Sequence, residues 1–148
     1  MNAMLKSSDC VQSADLDAIL ARNLAVVDRH IREEARDPDG VMSLYTDDAV
    51  LEIPGRGLRF DTHQAIRDNY VRMFGSMGEV EIEPLDRFAT LDRVVDDCRV
   101  RLRITGDGVV NAPVPVGSRV ELRLLHVFHM REGRIAREEV FEGWKILD

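Results

Sequence analysis

The residue best suited to proton chemistry is His126. An imidazole titrates near neutrality, so it can take up and return a proton at cellular pH. It stands in the stretch VELRLLHVFHMREGRIAREEVFE, residues 120–142, which reads as two long strands and a tight turn. Residues 130–133, Met-Arg-Glu-Gly, fit a type I turn with the glycine in the left-handed region, the usual three-residue hairpin loop. Strand side chains alternate between faces, so Leu122, Leu124, His126, Phe128 and Met130 share one face. Ala136, Glu138, Val140 and Glu142 share that face on the return strand. With Met130 paired to Arg134, His126 falls opposite Glu138, at a Cβ separation of about 4.5–5.5 Å. A carboxylate there would fix the imidazole tautomer and stabilise its cation. A one-residue change in the turn would send Glu138 to the other face, as an exposed residue paired with an arginine. The competing reading of His126 is a buried histidine hydrogen-bonded for structure.

Other candidates surround this pair. His30 borders the apolar stripe of the first helix and could point into a pocket as a donor, or be a solvated neighbour of Arg29 and Arg32. Tyr45 and Tyr70 read as supports, since buried phenol hydroxyls need partners. Phe74, Leu102, Leu124, Phe128 and Val140 are core or pocket wall, with Ile53 nearby at a strand end. No HxH or HxxxH spacing exists, so neither a metal nor any other cofactor is expected. Arg99, Arg101 and Arg103 form a row that could bind anions, but they lie on the outer face with Glu121, Arg123, Arg137 and Glu139 of neighbouring strands, and cross-strand ion pairs or a polar dimer contact explain them better.

The elements that must carry these residues follow from periodicity. Residues 1–12 read as a loose tail, and residues 13–148 as one domain. Ser13 suits an N-cap for a helix over 14–36, where Leu16, Leu20, Leu24, Val27 and Ile31 make one stripe. Asp37-Pro38 ends that helix and starts a short one over 38–45. Short strands are predicted over 49–53 and 58–60. A third helix over 62–74 places Ile66, Tyr70, Met73 and Phe74 on one side. Strands over 79–89 and 94–104, a long loop, and the final hairpin complete an α+β chain with helices on one face of a curved sheet. Leu125, Val127, Ile135 and Phe141 should form an apolar outer stripe, which calls for a two-fold homodimer through the outer sheet face.

Composition narrows the function classes. The 148 residues are 45% apolar and 32% charged, as in globular domains. A net charge of −7 argues against nucleic acid and anionic membrane surfaces as partners. There is no apolar run of membrane-spanning length and no signal-peptide core, and Cys10 and Cys98 read as reduced thiols of a cytoplasmic protein.

Taken in order, LYTDDAVLEIPG, HQAIRDNYVRMF and HVFHMREGRIAREEVF make the chain resemble the nuclear transport factor 2-like (cystatin-like) superfamily, in its SnoaL-like and ketosteroid-isomerase-like branch. The resemblance covers nearly all of 15–142. It implies a cone: a strongly bent, mostly antiparallel sheet wrapped round three helices, with an apolar pocket at the open end. It further implies that Ile53 stands where ketosteroid isomerase has its base. His30 and His126 stand at its oxyanion-hole positions, and Tyr45 and Tyr70 match its tyrosine network. An epoxide-hydrolase set is incomplete, since Arg101 and Val140 stand where its two aspartates belong, although Arg99 could match its arginine. Scytalone dehydratase, which uses pocket histidines and tyrosines without a metal, is nearer in character. The expectation is a cofactor-independent lyase or isomerase for a small apolar carbonyl compound, with His126, Glu138, His30 and Tyr70 catalytic. The alternatives are a binding protein for a small apolar ligand, or an assembly module whose cone is filled by its own side chains.

Overall fold

The computed structural model describes the backbone of residues 2–148 and the side chains of residues 13–148. The first helix, α1, runs Asn2–Glu33, so it passes through Ser13 instead of starting there, and it stops three residues earlier than its apolar spacing suggested. The side chains of the expected tail, Cys10 among them, lie outside the described residues. The short helix α2, Pro38–Val41, is capped by Asp37, whose carboxylate accepts from the Gly40 amide at 3.0 Å. The third helix, α3 at His63–Phe74, is capped by Thr62.

Six strands follow one another across a single sheet. They are β1 Tyr45–Ile53, β2 Leu58–Phe60, β3 Met77–Ala89, β4 Arg93–Ile104, β5 Arg119–Arg131 and β6 Arg134–Ile146, in the spatial order β2-β1-β6-β5-β4-β3. All pairs are antiparallel except β1 with β6. The helices cover one face of this bent, unclosed sheet, and the result is the cone expected. On β4 the residues Val94, Asp96, Cys98, Val100, Leu102 and Ile104 all face inward, so strict alternation places one carboxylate and one thiol among apolar neighbours.

The hairpin register differs from the sequence expectation. Arg131 pairs with Arg134 across a two-residue turn in which Glu132 and Gly133 both have positive φ, as in a type I′ turn. A bulge then inserts Ala136: Met130 pairs with Ile135, but His129 pairs with Arg137. The two effects together slide β6 by two residues. Glu138 keeps its inner face but lies opposite Phe128, and His126 lies opposite Val140. Ile135 turns inward and is fully buried, which removes it from the outer stripe.

Candidate active site

A cavity of about 300 Å³ opens between α1, α3 and the inner face of the sheet. Its walls are mostly apolar, among them Leu51, Ile53, Phe74, Leu102, Leu124 and Val140. Val80 and Ile82 stand at its edge on β3 and are half-exposed. Two residues expected at the pocket, one of its wall and one of its supports, do not line it. Phe128 and Tyr45 are fully buried behind it, in the core beneath the helices. A cone filled by its own side chains is therefore not what forms.

At the inner end, four polar atoms meet. Glu138 Oε2 accepts from the Tyr45 hydroxyl at 2.7 Å and the Tyr70 hydroxyl at 2.8 Å, and lies 3.3 Å from His30 Nε2. The two phenol oxygens are 2.6 Å apart, and His30 Nε2 is 2.6 Å from Tyr45. This network holds together what the sequence singled out as separate candidates, but not as expected. His30 is fully buried and does not line the cavity, so it cannot touch a ligand there. The Tyr70 ring lines the cavity while its hydroxyl is engaged with Glu138. Burial pushes both phenols well above the ordinary tyrosine range, and burial also lowers the His30 pKa against the opposing pull of Glu138. The hydroxyls therefore remain donors and the imidazole neutral.

The partner of His126 is Asp96, not Glu138. The two lie directly opposite on β4 and β5, with His126 Nδ1 3.5 Å from Asp96 Oδ2, an ion-pair separation longer than a good hydrogen bond. Arg87 donates to the other Asp96 oxygen at 2.7 Å and to Asp28 at 3.0 Å. Although burial opposes it, the adjacent His126 imidazole and the hydrogen bond from Arg87 hold the Asp96 carboxyl below its usual range. With Nδ1 beside Asp96, Nε2 bonds no described protein group, and His126 lines the cavity.

Sequence reasoning missed two further groups. Glu34, just beyond the end of α1, lines the cavity with a side chain 17% exposed, and its Oε2 lies 3.1 Å from His30 Nδ1 at an angle short of a hydrogen bond. Burial first, then the nearby charges of Glu138 and Asp96, push its carboxyl well above the usual carboxylate range. Nothing in the polar run REEARDPDG signals this, because both the burial and the neighbouring charges are products of the fold. Arg56, in the turn after β1, is buried in the cavity wall on Glu142, with Nε to Oε1 at 2.9 Å and Nη1 to the Val110 carbonyl at 2.8 Å. It staples that turn to β6 and to the loop before β5. Arg99 and Arg101 face outward in cross-strand ion pairs with Glu83 and Glu121, while Glu139 pairs with His129 and Arg137 instead.

The raised Glu34 carboxyl has a stability consequence. The folded state holds a proton that the unfolded chain releases around the ordinary value of 4.5, so stability is full below that value and is lost as pH rises through the raised native one. Glu34→Gln, which is neutral throughout, should flatten this slope and melt higher than the parent protein at neutral pH. Calorimetry in mildly acidic and mildly alkaline buffer checks it; an unchanged slope would show that Glu34 is not the group responsible.

The SnoaL-like domain family matches residues 27–138. The chain belongs to it. Three solved structures illustrate how far this SnoaL-like fold is shared. An LEH-like epoxide hydrolase of M. tuberculosis is 22% identical over 84% of each chain, with a TM-score of 0.64. A phenazine biosynthesis-related protein of Pseudomonas aeruginosa is 16% identical, with 87% of this chain and 80% of that one covered and a TM-score of 0.71. A putative polyketide cyclase of Sinorhizobium meliloti is 25% identical, with 78% and 93% covered and a TM-score of 0.59. A search of curated proteins finds no match. No described helix is long and apolar enough to cross a membrane. One fold hosts these different descriptions, so function must be argued from the site.

Proposed function

We propose that the protein is a proton-transfer enzyme, a lyase, isomerase or cyclase, acting on a small, mostly apolar carbonyl compound. The observation that carries this is the Asp96–His126 pair, buried on one inner wall of an apolar cavity that His126 lines, with Nε2 bonded to no described protein group. His126 Nε2 removes a proton from the carbon next to the substrate carbonyl. The Glu34 carboxyl, kept protonated by its surroundings, donates to the carbonyl oxygen as enolate charge develops. A carboxyl pushed up in the cavity wall, Glu34, and one held down beside His126, Asp96, support this division of roles. Asp96 is a positioning residue, and Glu138 with its three partners anchors the cavity's inner end. The enol then takes a proton at another carbon, expels a leaving group, or attacks a second carbonyl; polyketide-cyclase descriptions among proteins of this fold fit such chemistry.

Carbonyl-compound panels incubated in D2O test the reading by proton NMR. Exchange of carbon-bound hydrogen next to the carbonyl, above buffer rate and lost in His126→Ala, is the expected result. No exchange with any member of a broad panel would overturn it.

We also infer a homodimer through the outer sheet face. Leu125 and Phe141 are directly paired there and are 37% and 41% exposed. Such an apolar pair with Val127 beside it favours a covering partner. Light scattering should give a dimer mass for the parent and a monomer mass for Leu125→Glu/Phe141→Glu; a monomeric parent at micromolar concentration would refute it.

A further inference from the structure

The wall behind His126 has a composition that proton transfer does not need. Asp96 and Cys98 are two residues apart on β4 and so share its inner face, and His126 stands opposite Asp96 on β5. All three are buried, and a carboxylate oxygen, the thiol sulfur and a ring nitrogen lie within 4.8 Å of one another. Carboxylate, thiolate and imidazole are ligands of zinc-class ions. His126 Nδ1 is buried and makes no hydrogen bond. It points at Asp96 Oδ2 across 3.5 Å, and two ligands so spaced, each about 2.0–2.1 Å from an ion, subtend about 117°, near a tetrahedral angle. Arg87 holds the other Asp96 oxygen, the outer support that fixes a ligating carboxylate. His126 and Cys98 both line the cavity, so a fourth position would open onto it. The expectation of no metal rested on spacing along the chain. This set is assembled across the β4–β5 ladder, where spacing in sequence says nothing.

We propose that Asp96, Cys98 and His126 form a three-ligand site for a zinc-class divalent cation, and that filling it silences the His126 base. On binding, the Cys98 thiol proton passes to solvent, and thiolate, carboxylate and imidazole Nδ1 bond the ion with no change of oxidation state. A neutral imidazole carries one ring proton. Ligation at Nδ1 places it on Nε2, the nitrogen otherwise turned to the cavity, which then cannot accept a substrate proton. The silencing rests on the proposed function; the binding does not.

Cobalt(II) tests the binding in full-length protein carrying Cys10→Ser, which leaves Cys98 as the sole thiol. After chelator treatment, one equivalent should give a thiolate-to-cobalt band in the near ultraviolet and intense four-coordinate visible bands, both displaced by zinc. Asp96→Asn and His126→Gln, close in shape, should each weaken binding by about tenfold or more. Histidine 15N NMR of the unsubstituted protein should show zinc moving the His126 Nδ1 resonance. Absence of saturable cobalt binding, or binding unaffected by both substitutions, would overturn the site. In the deuterium-exchange assay one equivalent of zinc should abolish exchange, and full exchange with the site filled would overturn the silencing. A protein that binds cobalt as described but exchanges no substrate would refute the proposed function and leave the site standing.

Discussion

His126→Ala should lower kcat/KM for carbon–hydrogen exchange by about 10²–10⁴, the usual contribution of a positioned acid or base. KM should change little, because the walls that hold an apolar substrate, Leu51, Leu124 and Val140 among them, remain. The loss should therefore appear in kcat. Asp96→Asn separates positioning from chemistry: the imidazole stays in place while its tautomer is no longer fixed by a carboxylate, so kcat falls with the cavity intact. Glu34 adds a limb to the pH profile. The acid must be protonated, so kcat should fall as pH rises through the raised Glu34 value, and Glu34→Gln should remove that limb. Steady-state kinetics across pH checks all three. Wild-type kcat in His126→Ala would move the base to another residue of the cavity.

Much of this site was legible in the chain. Alternation alone placed His126 and Glu138 on the inner face, and helical spacing brought Tyr70 toward the cavity. The partnership was not legible, because register depends on the turn and on irregularities along the strands. Glu132 takes a positive φ although it is not glycine, which makes a two-residue turn where Met-Arg-Glu-Gly suggested three. Ala136 adds a bulge without any Gly or Pro to announce it. The same alternation that put Cys98 inward also put Asp96 inward, yet only the β4–β5 register shows that Asp96 faces His126. For Ile135, β-branched and apolar, pattern could not choose a face once the bulge intervened. Glu34 carried no local signal, since its shift comes first from burial in the folded cavity wall and then from Glu138 and Asp96, over 100 and 60 residues away.

The largest stability effect should come from Tyr45 and Tyr70 together. Each donates to Glu138 Oε2, and the residue is 1% exposed, so solvent replaces those donors poorly. Tyr45→Phe/Tyr70→Phe leaves it only His30 Nε2 at 3.3 Å. Stranding a buried charge in this way costs about 3–5 kcal/mol, or roughly 6–20 °C in melting temperature for a domain of this size. The reverse deletion should be far milder. In Glu138→Leu the Tyr70 hydroxyl can donate to Tyr45 at 2.6 Å, and Tyr45 to His30 Nε2 at 2.6 Å, so both phenol hydroxyls keep an acceptor. Adding Glu138→Leu to the double phenylalanine variant should then recover most of its lost stability, because the stranded charge is gone. Thermal melts of the four proteins close the cycle. If Glu138→Leu alone melts as low as the double variant, the network is held by the carboxylate as a packing element, and the stranded-charge account fails.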